Sequence, residues 1–278
     1  MEIYLSRNII EELNLYPGKN IKLSFGIKKV EVSIKELKNI TKSFKIPYVF
    51  QRLLYLNSIF QQPFSFFLKD DNTLKIGPLI GIMTSQPVVF MKDHLISLYK
   101  TIVETGKMLG IPCFLFTSEN IEFNNKTVWG FTVGKTTAGE LGWVLKQFPI
   151  PDIVYNKVGF LISDEAKKAY SRFFLRFLKD NVDVKFFNPF GLGDKWKIYQ
   201  QLKQYNSIQK YLPDTELLNS TDILESFLNN YKMVYLKPTD SSLSMGVYRI
   251  TYLSDGDFNI GYRQKEVTLI NLSEIYKY

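Results

Sequence analysis

Residues 235–250 read YLKPTDSSLSMGVYRI. An apolar run closes on Lys237–Pro238, a loop of small and mostly polar residues follows, and Gly246 opens a second strand-type segment. A lysine at a strand end beside a loop of small residues suits a polyphosphate, because the ammonium supplies a point charge and the loop backbone supplies N–H donors. The chain contains no GxxxxGK[ST] and no GxGxxG opening a helix, so neither a P-loop nor a dinucleotide fingerprint is present. The segment after Gly246 continues as a strand, so the loop joins two strands as a flap over a nucleotide would. The competing reading of Lys237 alone is an exposed strand-end lysine.

The neighbouring segments extend the pattern. DKWKIYQQLKQYN (194–206) predicts a helix starting at Asp194 or Lys195, with Lys195 either a nucleotide-site lysine or a solvated lysine of the first turn. LPDTELL is extended, and STDILESFLNNY predicts a helix with Ser220 or Thr221 as N-cap. KMVYLKP, GVYRITYL, DFNIGYR and VTLI read as strands of an antiparallel sheet, with SDGD as a hairpin turn. Upstream, GPLIGIMT and IPCFLF are short apolar runs bounded by turn residues, as buried strands are. Between them Leu95, Leu98, Ile102 and Leu109 recur at helical spacing and Gly110 closes the helix. Strand, helix, strand at this spacing is a βαβ unit with a parallel sheet. IEFNNKTVWGFTV predicts a hairpin turning at Asn124–Asn125, DIVYN a third parallel strand and VKFFNP the next. Between those two, 163–180 predicts a helix with Ala166, Tyr170, Phe173 and Phe177 on one face.

The first 75 residues read as a small β-rich module. NIKLSFG and KKVEVSI alternate apolar and polar residues, Gly26 separates them, and LNLYPGKN carries a Pro-Gly turn. Residues 19–45 hold eight lysines and two glutamates, a large part of the net charge of +8. A nucleic-acid surface is one reading of such a segment. Arginine is absent from it and its lysines alternate with apolar residues, which favours a solvated strand face.

The totals remove several chemistries. The 278 residues are 45% hydrophobic and 22% charged, a core-forming composition. One cysteine and one histidine exclude an internal disulfide framework and argue against structural zinc. Cys113 is expected to be an inert buried strand residue, and His94 stands at a helix start. No apolar run approaches the ~18 residues that span a bilayer, and the acidic second residue and missing apolar region argue against a leader peptide. A cytoplasmic location, without membrane partners, is expected.

The ordered set FGIKKVEV, GPLIGIMTS, WVLKQFPIPDIVYNKV, FNPFGLGDKWKIYQQL, LPDT and VYLKPTDSSLSMGVYRI resembles the YheC/YheD-type endospore coat-associated ATP-grasp proteins. The resemblance runs from about residue 20 to 252 and implies three parts: a β-rich module (1–75), a parallel α/β pre-ATP-grasp domain (76–190) and the N-terminal lobe of an ATP-grasp unit with an antiparallel sheet (191–278). It implies ATP as ligand, with Lys195 and Lys237 touching phosphate and the adenine side. Ser241, Ser242, Ser244 and Gly246 would lie over the phosphates, and Asn156, Lys157 and Arg249 are candidates near the substrate cleft. The family loop reads like K-P-x-x-G-S-x-G-x-G. Here Ser241 and Ser244 replace glycines, and serine resists the positive φ that glycine adopts freely. No Asp/Glu/Asn cluster follows the flap sheet before Tyr278, so Mg²⁺ is expected only if a second lobe is supplied elsewhere, and catalysis by these residues alone is expected to be poor. The family chemistry is carboxylate–amine ligation. The resemblance also implies a spore or spore-coat setting, with self-association or coat proteins as partners. The alternatives are a non-catalytic structural or assembly relative and a lysine-rich nucleic-acid binder.

Overall fold

The computed structural model of the chain describes residues 2–38, 44–58, 64–158, 184–188, 194–240, 246–253, 257–262 and 265–269. The fold is mixed α and β, with three sheets among the described residues. Two compact units divide the chain, Met1–Pro189 and Phe190–Tyr278.

The first unit holds two sheets. The N-terminal sheet is built from β1 (Glu2–Ser6), β2 (Asn20–Phe25), β3 (Lys28–Leu37), β4 (Phe44–Lys45), β5 (Phe66–Leu68) and β6 (Thr73–Ile76), in the order β4-β1-β3-β2-β6-β5. Alternation decides its faces. Ile21, Leu23, Val32 and Ile34 are buried while Lys22, Lys29, Glu31 and Lys35 point away from the core. Lys22 stands opposite Glu31 in the β2–β3 register, and Lys35 pairs with Glu2 at 2.9 Å. The lysine-rich segment is therefore a solvated strand face with acids interleaved. The Pro-Gly turn closes at Tyr16–Lys19, where Gly18 takes φ +89° and Lys19 N–H donates to the Tyr16 carbonyl. Two short helices, α1 (Arg7–Glu12) and α2 (Tyr48–Leu53), add Ile9, Ile10 and Phe50 to the core.

The second sheet contains β7 (Ile80–Met83), β8 (Cys113–Phe116), β9 (Ile121–Glu122), β10 (Thr127–Lys135), β11 (Leu141–Pro149), β12 (Ile153–Asn156) and β13 (Lys185–Phe187). The order is β11-β10-β8-β7-β12-β13, with β9 paired to β10. Strands β8, β7, β12 and β13 run parallel and carry the apolar runs expected of a covered sheet. The 16-residue helix α3 (Asp93–Met108) links β7 to β8. Its inner face differs from the expected one. Leu98 and Leu109 are 50% and 62% exposed, whereas Tyr99, Val103 and Gly106 are buried. Gly106 sets this rotation: a Cβ there would lie 2.6 Å from Cys113 Sγ, so glycine lets the helix close onto β8. Gly110 then ends the helix at φ +69°. The 163–180 helix expectation lies outside the described residues.

A buried ion pair joins the two sheets. Lys75, on β6 and 4% exposed, donates to the Gly26 carbonyl and pairs with Asp152. The other Asp152 oxygen accepts the Leu79 N–H at 2.9 Å. One carboxylate thus fixes the end of β6 against the residues that begin β7 and β12. Gly26 makes the approach close: a Cβ there would sit 2.4 Å from the Ile150 carbonyl oxygen. Burial pulls the Lys75 ammonium below the ordinary lysine value, outweighing the opposing pull of Asp152.

The second unit has a four-stranded antiparallel meander, β14 (Met233–Leu236), β15 (Tyr248–Tyr252), β16 (Phe258–Tyr262) and β17 (Lys265–Leu269). Helices α4 (Lys195–Lys203), α5 (Asn206–Gln209) and α6 (Thr221–Asn230) precede it. Leu224 and Leu228 of α6 pack with Val234, Ile250, Phe258 and Ile260 of the sheet.

Removing one partner of a buried pair strands the other charge, at a cost of about 3 kcal/mol or more, while replacing both charges by neutral groups costs little. Urea unfolding should therefore show Asp152→Ala and Lys75→Met each destabilised by about 3 kcal/mol, and Lys75→Met/Asp152→Asn closer to wild type than either. The depressed folded value means that the unfolded chain binds more protons between it and the ordinary 10.5. Wild-type stability should accordingly rise with pH across that window relative to Lys75→Met.

Candidate functional site

The second unit contains a cavity of about 590 Å³, within the size range of small-ligand pockets. Its walls come from the first turn of α4, the extended segment 213–218, α6, β14 and Gly246 with Tyr248. Leu217, Leu218, Ile223, Phe227, Met233 and Tyr235 make much of it apolar, while Lys195, Lys237 and Thr239 line its polar part.

Local rules place each cationic residue. Asp194 caps α4 by accepting the N–H groups of Trp196 (2.9 Å) and Lys197 (3.1 Å). The Lys195 N–H donates to the Thr239 carbonyl at 2.8 Å, and its ammonium donates to the Pro238 carbonyl at 2.8 Å. Lys195 is therefore half-buried and clasped to the strand end, not a freely solvated first-turn lysine. Lys237 is exposed, with its ammonium 5.8 Å from the centroid of the Tyr235 ring. Gly246 takes φ +70°, and a Cβ there would come within 2.7 Å of Pro238 Cγ. The two ends of the loop thus meet, Pro238 against Gly246, with Lys195 holding Pro238 from the other side. On the opposite wall the Tyr231 hydroxyl donates to Asp214, which raises its pKa and ties segment 213–218 to the end of α6.

The cavity brings together Lys195, Lys237 and Gly246. Ser241, Ser242 and Ser244 lie outside the described residues. Arg249 is not part of the lining; its guanidinium crosses Gly261 of β16, the residue opposite it in register. Asn156 and Lys157 belong to the first unit, at the end of β12. Asn156 is buried, its Oδ1 accepting the Val158 N–H at 3.0 Å, and Lys157 is exposed with its N–H on the Met83 carbonyl at 2.8 Å. Sequence reasoning missed the apolar half of the cavity. Its signal was Met233 and Tyr235, large apolar side chains on the strand positions that alternate with buried Val234; they are 49% and 53% exposed.

A family model for YheC/D-like ATP-grasp proteins matches residues 183–277, the segment that carries this cavity. The chain is also similar to the endospore coat-associated protein YheD of Bacillus subtilis (strain 168), 28% identical over 191 residues, 67% of this chain and 40% of YheD. A second relative is the endospore coat-associated protein YheC of the same strain, 29% identical over 105 residues, 38% of this chain and 28% of YheC. The matched regions thus span less than half the length of these curated relatives. The ATP-grasp family in general binds ATP and Mg²⁺. The residues present fit the nucleotide, since an apolar compartment adjoins two ammonium groups at a glycine-rooted loop. Among the described residues no three His, Cys, Asp or Glu side chains converge as a metal site, so none is assigned to Mg²⁺. No helix among them is long and apolar enough to cross a membrane.

Gly246→Ala would force an L residue into left-handed backbone and onto Pro238. It is expected to destabilise the second unit by about 1–2 kcal/mol, measured by urea unfolding followed by tryptophan fluorescence.

Proposed function

We propose that the ATP-grasp unit binds ATP in the 590 Å³ cavity. The purine lies among Leu217, Phe227, Met233 and Tyr235, and the phosphates lie toward Lys237, Lys195 and the loop that Gly246 roots. The carrying observation is the joining, in one cavity, of an apolar compartment and two lysines, Lys237 at the end of β14 and Lys195 clasped to the carbonyls that follow it. Lys195 acts in two ways. Its backbone and side-chain bonds to Thr239 and Pro238 hold the root of the loop, and its charge adds to that of Lys237 at the phosphate end. The family resemblance assigns Ser241, Ser242 and Ser244 to the phosphate side. ATP supplies an activated phosphoryl group when bound; the chain's own residues orient it and cover it. By family resemblance, the whole protein joins a carboxylate to an amine, with metal ligands coming from a further lobe.

A second reading is a spore-coat structural or assembly role without catalysis. Both curated relatives carry endospore coat association in their names, and exposed Tyr231, Met233, Tyr235 and Tyr252 offer the ATP-grasp unit apolar surface for a partner or a second copy.

Isothermal titration with ATP, with and without Mg²⁺, separates the two. Wild type should release binding heat, and Lys237→Ala should weaken binding by about tenfold or more, since a charge-assisted phosphate contact is worth roughly 1.5–3 kcal/mol. No heat and no thermal shift with ATP would overturn the nucleotide reading and leave the assembly role.

A further inference from the structure

Strand β11 (Leu141–Pro149) ends the second sheet, and among the described residues it pairs with β10 alone. Its outer edge therefore presents main-chain N–H and C=O groups that no described strand takes up. Proteins usually blunt such an edge with charges, proline or brevity. From Leu141 to Gln147 this edge carries one charge, Lys146, and no proline. Leu141 and Leu145 are 60% and 52% exposed on it. We infer that two copies of the chain join edge to edge through β11, antiparallel about a twofold axis at Trp143.

The hydrogen-bond phase of the β10–β11 hairpin decides which residues can meet. Thr136 N–H donates to the Glu140 carbonyl at 2.8 Å, and Ile150 N–H donates to the Lys126 carbonyl at 3.2 Å. Both bonds belong to the register in which Val133 stands opposite Trp143. Residues of an antiparallel strand turn their main-chain groups alternately toward and away from a given neighbour. The even-numbered residues of β11 thus serve β10, while Leu141, Trp143 and Leu145 point N–H and C=O outward. A second β11 can bond only where outward residues meet outward residues.

Twofold pairing about Trp143 obeys that rule and also matches the side chains. Trp143 stands opposite its own copy, Leu141 opposite Leu145, and Gly142 opposite Val144. Exposed Glu140 comes opposite Lys146, once on each side of the axis. Moving the axis to Gly142 or Val144 sets Glu140 against Val144 or Phe148 and removes both charge pairs. Opposed residues share a face, so the two leucines cover each other beside Trp143, which packs on the cluster beneath α3. About six main-chain hydrogen bonds close the pair. An isologous interface needs one surface patch that complements itself. This strand carries both halves of that complement, which favours a second copy over an unrelated extended segment.

The test is sedimentation equilibrium of the full chain at micromolar to millimolar concentrations, where wild type should form dimers. Leu145→Lys, at an exposed position, should weaken dimerisation by about tenfold or more while circular dichroism of the dilute chain stays unchanged. Glu140→Lys should weaken it by about fivefold, and Glu140→Lys/Lys146→Glu should restore it. Oxidation of cysteine variants reports the register, because Cα atoms of a bonded pair lie about 5.5 Å apart, within disulfide reach. Leu141→Cys/Leu145→Cys should give a disulfide-linked dimer on a non-reducing gel, and neither single variant should, since the native Cys113 is buried. Monomers at every concentration, dimers that Leu145→Lys leaves intact, or no link in the double cysteine variant would overturn the assignment. The interface lies in the first unit, so absence of ATP binding with the dimer retained would overturn only the nucleotide reading.

Discussion

The Lys75–Asp152 pair is the constraint on which the first unit rests. Every residue of β6 is buried, so Lys75 finds its partner inside the unit, a carboxylate just before β12. Because Asp152 also holds the Leu79 N–H, one side chain sets where β7 and β12 begin. These strands are four residues each, so fixing their starts fixes where they end. The placement of Thr84, Asn156 and Lys157 at the other edge is thus settled by a pair at the opposite end of the same strands.

The second unit fixes the two roots of the connection between β14 and β15. Asp194 orders the first turn of α4, that turn gives Lys195 two bonds to consecutive carbonyls, and Gly246 folds back on the proline between them. Proline is suited to this position because it removes an N–H that would otherwise need a partner while its carbonyl accepts the ammonium.

Much of this was legible in the sequence, and what was not has physical causes. Short apolar runs between turn residues marked β7, β8, β12 and β13, and period-two alternation marked β2 and β3. Asp194 and Ser220 marked the starts of α4 and α6, although the Ser220 side chain makes no capping bond. The rotation of α3 was misread because a hydrophobic pattern counts leucines, while the close contact is made by Gly106, which has no side chain to count. Strand β1 went unassigned because its partner β3 is parallel and more than 20 residues distant, so no turn announces the pairing. Lys75 looked like any strand lysine, because a buried charge is legible only once its partner 77 residues downstream is brought to it. In the site, the two lysines and Gly246 were legible from local chemistry. The apolar compartment was not, since it is assembled from three segments that become neighbours only on folding.

Cys113 bears on how this chain responds to oxidation. It is the single cysteine of 278 residues, sealed between α3 and β8, with burial pushing its thiol up to about 11. A thiol held in that form offers almost no thiolate to an oxidant or a neighbouring disulfide. A disulfide through Cys113 would therefore require α3 to lift away from β8, opening the contact that Gly106 closes.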